Sequence, residues 1–192
     1  MIKPSRKQLT NIVFIVFLLL FLFTPLKFHL SVYVNKLIAL TPFATPSTID
    51  AEEQVSLKNY EWKLVDKNGN NYDFKREKGK VVFVNFWATW CPPCVAEMPD
   101  LQKLYDDYSD KVTFLFIAND QVDRVNAFLE KNEYTFATHY EYDKTPTVLE
   151  HSSIPTTYLM NKSGKIVMKK AMVADWNSEK MRAILNELIA EK

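Results

Sequence analysis

The chain passes through three hydrophobic periods. From Leu9 to Leu26 it is apolar except at Thr10, Asn11, Thr24 and Pro25, and Lys3, Arg6 and Lys7 stand in front. Eighteen helical residues reach roughly 27 Å, close to a bilayer's hydrocarbon core of about 30 Å. This predicts one transmembrane anchor over residues 9–26 behind a cytoplasmic N-terminus, residues 1–8. A cleaved secretory leader is the competing reading, but its apolar stretch is usually about 7–15 residues, and no Ala-x-Ala site stands near Leu26. Phe28 to Phe43 stays apolar apart from His29 and Lys36, as expected of an interfacial helix, and Thr41 to Val55 reads as a polar connector. Residues 27–55 are thus expected to be an interfacial segment and tether, and residues 56–192 one domain.

Within that domain the period changes from element to element. Tyr60 to Val65 and Tyr72 to Phe74 flank Lys67-Asn68-Gly69-Asn70, and the Asn-Gly step favours a hairpin. Val81 to Phe86 and Val112 to Ile117 are continuous apolar runs, the pattern of strands buried on both faces. Between them Val95, Met98, Leu101, Leu104 and Tyr108 recur at helical spacing, completing a β-α-β unit. A helix follows from about Gln121 to Lys131, capped by Asn119 or Asp120, then a short strand over Thr135 to His139. Thr156 to Met160 and Ile166 to Lys170 form a second hairpin. A last helix carries Met181, Ile184, Leu185, Leu188 and Ile189 on one stripe behind Asn177 or Ser178. The class is α/β, with a mixed sheet flanked by helices.

Charge excludes more than it indicates. Lys and Arg number 24 against 23 Asp and Glu, which argues against a nucleic-acid surface. The two cysteines, Cys91 and Cys94, are too few for a disulfide framework or a four-thiolate zinc site. Their position carries the chemistry. At the junction of a buried strand and a helix, unpaired N–H groups and the positive end of the helix dipole favour a thiolate at Cys91. Pro92 and Pro93 suit a first helical turn, where a missing N–H costs nothing, and hold the sulfurs in register. Cys91 is then the attacking thiolate and Cys94 the more buried, resolving thiol. No cofactor beyond this redox-active pair and no resident metal are expected.

The run from Val81 through Trp87, Trp90 and Cys91-Pro-Pro-Cys94, followed by Glu97, Met98 and Pro99, resembles the TlpA-like, membrane-anchored branch of the thioredoxin superfamily. The likeness extends from about Tyr60 to the carboxyl end. It implies a thioredoxin-like fold with an N-terminal β-hairpin and an inserted helix and strand over about Gln121 to His139. It also implies a single-pass protein of the bacterial inner membrane whose domain, on the extracytoplasmic side, reduces cysteines of protein substrates, including those of apocytochrome c, and is itself served by a membrane thiol donor. Ile154-Pro155 matches the family's cis-proline loop; on the residues alone, Pro155 would be an ordinary strand start. Glu97 matches a glutamate near the active site that shifts thiol pKa values or relays a proton; the plainer reading is a solvated helix acid. Trp90, Pro92, Pro93, Ile154 and Pro155 are the expected substrate-contacting positions, while Trp87 serves equally well as packing. Asn85 stands where thioredoxins proper have a buried aspartate, which moves proton handling toward Glu97. His151 reads as a surface-loop residue. The rival functions are a disulfide-forming oxidase using the same pair in reverse and a copper-binding protein using Cys91, Cys94 and His151.

Overall fold

The computed structural model describes residues 5–23 and 26–191, without the side chains of residues 18–23. In chain order it has helices α1 (Arg6–Phe23) and α2 (Leu26–Ala39), then strands β1 (Lys63–Val65), β2 (Asn71–Asp73) and β3 (Val82–Trp87). Helix α3 (Pro92–Tyr108), β4 (Thr113–Ala118), helix α4 (Val122–Lys131) and β5 (Thr138–Glu141) follow, and β6 (Thr156–Met160), β7 (Ile166–Ala171) and helix α5 (Glu179–Ala190) close the chain. The strands form one sheet in the order β2-β1-β5-β4-β3-β6-β7. β3, β4 and β5 are parallel neighbours, and the remaining pairs are antiparallel. Parallel neighbours need long crossovers, which α3 and α4 supply.

Side chains alternate across a strand, so the apolar run of β3 fills two cores. Phe83 and Trp87 join Phe114 and Phe116 on one face, where α3, α4 and α5 add Met98, Leu101, Leu104, Val125, Met181 and Leu185. Val82, Val84 and Phe86 join Leu115 and Ile117 on the other, closed by Leu57, Trp62, Leu64, Phe74 and Leu149. β3 lies inside the sheet between β4 and β6 with all six residues buried, so the loop leaving its carboxyl end stands on a fully buried strand.

Several boundaries differ from the sequence reading for identifiable reasons. β5 starts three residues late, because the Thr135 N–H donates to Gln102 Oε1 at 2.9 Å and Phe136 stacks on Phe116 and Tyr134 before the chain reaches the sheet. The cap of α4 is Gln121, without a side-chain bond. Asp120 is unavailable because its carboxylate accepts the Thr89 N–H and hydroxyl, and the Asn119 carbonyl accepts the Trp90 indole N–H. Ser178 caps α5, accepting the Met181 N–H.

The segment expected as a tether is strapped to the domain. Asp175 N–H donates to the Ala44 carbonyl, Ile49 N–H to Val167, Ile166 N–H to Val55 and Leu57 N–H to Gly164, all at 2.8–3.2 Å. Ahead of it, α2 packs on α3: Ala39 meets Ala96 and Val173, with Val32 beside them. Its inward stripe, Phe28, Ser31, Val32, Asn35 and Ala39, is partly polar, while Leu30, Tyr33, Val34, Leu37 and Ile38 are exposed. Among the described residues, no helix is long and apolar enough to cross a membrane. Of the anchor expected over residues 9–26, residues 24 and 25 and the side chains of residues 18–23 lie outside the described set, as do residues 1–4 of the expected N-terminus.

Candidate active site

Cys91 is the residue before the first turn of α3, in extended backbone, and Pro92 and Pro93 occupy the first helical positions. The N–H of Cys94 donates to Cys91 Sγ at 3.3 Å, so one of the helix's unpaired donors is aimed at that sulfur. The two sulfurs form a disulfide, with Cα atoms 5.2 Å apart. Both residues are buried, Cys91 at 3 % exposure and Cys94 at 0 %. The sequence ordering of a more exposed Cys91 therefore holds only narrowly, because the Ile154 loop leans over it, with the Ile154 carbonyl oxygen 3.7 Å from Cys91 Sγ. The Ile154–Pro155 bond is cis. Pro155 is buried and Ile154 half-buried, touching both cores.

Trp90 and Trp87 divide as their spacing allows. Trp87 is fully buried against Phe128, whereas Trp90 is 54 % exposed and fixed by its indole N–H on the Asn119 carbonyl at 3.2 Å. Asn85 is fully buried in β3, its amide N–H₂ donating to Thr157 Oγ1 at 2.8 Å, so no carboxylate lies at that position. His151 packs its ring 3.9 Å from that of Phe86, which belongs to the core on the sheet face opposite the cysteines. Among the described residues, no group of three or more His, Cys, Asp or Glu side chains is arranged to hold a metal ion.

Glu97 is not a solvated acid. One turn past Cys94, it is 1 % exposed, and its Oε1 accepts both the Ala174 N–H at 2.7 Å and the Trp176 indole N–H at 2.8 Å. Oε2 has no protein partner. Burial pushes the carboxyl up to about 8 against the pull of the two donors, so the neutral acid predominates at pH 7. The sequence left Ala174 and Trp176 unnoticed. Their one signal was the stretch Met172 to Trp176, apolar except for Asp175, ahead of the last helix with no stripe to account for it. That loop reaches Glu97 because Val173 is pinned between α2 and α3.

A disulfide at a helix N-terminus, a sulfur-facing N–H and a buried acid in the next turn form a site suited to thiol–disulfide exchange. The Redoxin family profile matches residues 50–185 of this chain. Thiol-disulfide oxidoreductase ResA of Bacillus cereus is 32 % identical over 130 residues, covering 65 % of this chain and 73 % of that protein. Thioredoxin-like protein YneN of Bacillus subtilis is 33 % identical over 110 residues, 55 % of this chain and 65 % of that one. In fold, a putative thiol:disulfide interchange protein DsbE from Chlorobium tepidum matches with TM-score 0.58 at 20 % identity, over 70 % of this chain and 100 % of that one. A DsbF homologue from Corynebacterium diphtheriae matches with TM-score 0.57 at 21 % identity, over 77 % and 96 %. With the motif, the geometry and these likenesses in agreement, the chain belongs to the Redoxin family, as a thiol-disulfide oxidoreductase of the TlpA/ResA-like branch of the thioredoxin superfamily.

Proposed function

We propose that the chain is a membrane-anchored, extracytoplasmic reductant of protein disulfides, with cysteines of the apocytochrome c kind among its substrates. The observation that carries this reading is Cys91 Sγ at the start of α3 with the Cys94 N–H aimed at it. In the cycle, the Cys91 thiolate attacks one sulfur of a substrate disulfide and the other leaves as a thiolate. Cys94, deprotonated, then attacks Cys91 Sγ, closing the Cys91–Cys94 disulfide and releasing the second substrate thiol, so two electrons pass from the pair to the substrate. Glu97, one turn from Cys94 with its carboxyl pushed up to about 8, accepts the resolving thiol's proton in its ionised form, a minor one at pH 7, and passes it on to the departing substrate thiolate. Trp90, Pro92, Pro93, Ile154 and Pro155 form the substrate-contacting rim.

Lys3, Arg6 and Lys7 before the apolar run support the anchor and its orientation. The inverted burial of α2 supports a membrane surface at its outer side, since a helix facing water would turn Ser31 and Asn35 outward and Leu37 and Ile38 inward. The TlpA-like motif supports the reducing direction. A reductant outside the cytoplasm cannot draw on cytosolic thioredoxin directly, so a membrane donor that re-reduces the pair belongs to the proposal.

The test is the reduction potential of Cys91–Cys94, measured on the full chain in nanodiscs by equilibration with glutathione and dithiothreitol buffers. A value of about −250 mV or lower supports a reductant; one near −120 mV makes the protein an oxidant.

A further inference from the structure

The chain has three glycines, Gly69, Gly79 and Gly164, and all three have positive φ. Where a turn needs that conformation, this sequence supplies the residue that adopts it freely. Among the described residues two others have positive φ, Glu133 at 58° and Met172 at 70°. Glu133 follows the end of α4, where a left-handed residue is a common way to stop a helix. Met172 ends no helix. It leaves β7 for the Val173 to Trp176 loop in a conformation that side chains rarely adopt, and with 70 % of its surface exposed it contributes little to either core. Nothing in packing explains a long apolar side chain there in place of glycine.

Its surroundings do. The Met172 N–H donates to the Pro155 carbonyl at 3.1 Å, and the Ile154 carbonyl, one residue back, lies 3.7 Å from Cys91 Sγ. Met172 is therefore one hydrogen bond from the loop that covers the attacking sulfur. Trp90, the residue before Cys91, is also a large apolar side chain left exposed. Strained backbone kept at the edge of a reactive site, carrying a flexible side chain that adapts to different partners, is characteristic of a recognition element.

We infer that Met172 is a specificity-determining residue, which with Trp90 selects protein substrates bearing an apolar side chain next to the cysteine under attack. The inference rests on the thiol–disulfide cycle described above and names its substrate class.

The experiment uses two short peptides, each with one cysteine held as a mixed disulfide with glutathione, one with leucine and one with serine beside the cysteine. Reduced full-length protein and its Met172→Gln and Met172→Leu variants are compared by the rate of disulfide reduction. Met172→Gln keeps the length and the backbone demand of the native residue but not its apolar end. It is expected to lower the rate on the leucine peptide about tenfold and leave the rate on the serine peptide and the reduction potential unchanged, with Met172→Leu restoring the native preference. Equal rates for the native protein on both peptides, or an equal loss on both in Met172→Gln, would overturn the inference. Failure of the underlying cycle is distinguishable, because then the native protein reduces neither peptide.

Discussion

Glu97→Gln isolates the effect of the buried acid. In the unfolded chain this carboxyl titrates at 4.5, its ordinary value, and in the folded protein at about 8. Between those values the folded state holds a proton that the unfolded state has lost, so stability falls as pH rises, by about 1.4 kcal/mol per unit. Below the lower value both states are protonated and above the higher value both are ionised, so outside the window this group adds no slope. To order of magnitude the loss is about 3 kcal/mol at pH 7, about 4 kcal/mol at pH 8 and about 5 kcal/mol well above it. Glutamine keeps an oxygen to accept the Ala174 and Trp176 N–H groups but places an N–H₂ where Oε2 has no partner. That orphan costs about 1–3 kcal/mol at every pH, so the decisive quantity is the slope and not the offset. The assay is guanidinium unfolding of the oxidised protein from residue 26 onward at pH 5, 6, 7 and 8, followed by the fluorescence of buried Trp62, Trp87 and Trp176. The variant is expected to gain on the native protein steadily across this range. A difference that is the same at pH 5 and pH 8 would refute the reasoning, because it would mean Glu97 is ionised throughout.

Three further outcomes are expected. Cys94→Ala, mixed with a disulfide-bonded protein substrate, accumulates a mixed disulfide through Cys91 that non-reducing gels detect, whereas Cys91→Ala accumulates none; the reverse pattern would exchange the two roles. Trp176→Phe removes one of the two donors on Glu97 Oε1 and destabilises the protein by about 1–3 kcal/mol at pH 9, where the acid is ionised, and by less at pH 6; a loss independent of pH would assign the indole to packing alone. Ala39→Glu buries an unpaired carboxylate between α2 and α3, and trypsin is expected to cut at Lys36 about tenfold faster with the reduction potential unchanged. An unaltered cleavage rate would show that this contact does not hold α2.

The core elements were legible because their periods are unambiguous. The continuous run through β3 has all six residues buried, and the stripe of α5 buries Met181, Ile184, Leu185 and Leu188 as its spacing requires. Cys91 and Cys94 were legible because a strand–helix junction is a local feature, readable without knowing what packs over it. What covers the junction was not legible. Glu97 falls in line with Leu101, Leu104 and Tyr108 on the buried face of α3, but the groups that hold its carboxyl, the Ala174 N–H and the Trp176 indole, come from a loop more than 75 residues later, an arrangement formed by segments far apart in the chain. The shifted cap of α4 has the same origin: Asp120 is a good helix cap by type, yet Thr89, 31 residues earlier, holds its carboxylate. The strapped connector was missed because its hydrogen bonds run through backbone groups, which leave no mark on side-chain polarity.

That strap limits how far the disulfide can travel. A free connector of fifteen residues would let the domain wander by roughly 20 Å around its attachment point. With Ala44, Ile49, Val55 and Leu57 bonded to the domain, and α2 seated on α3, this slack is removed and the sulfurs keep a set distance and heading from the first residues of α2. Partners held at the same surface would then meet the site at a high effective concentration when their cysteines are presented at that height, and rarely otherwise. Lengthening the segment between Ala39 and Ala44 would trade that selectivity for reach.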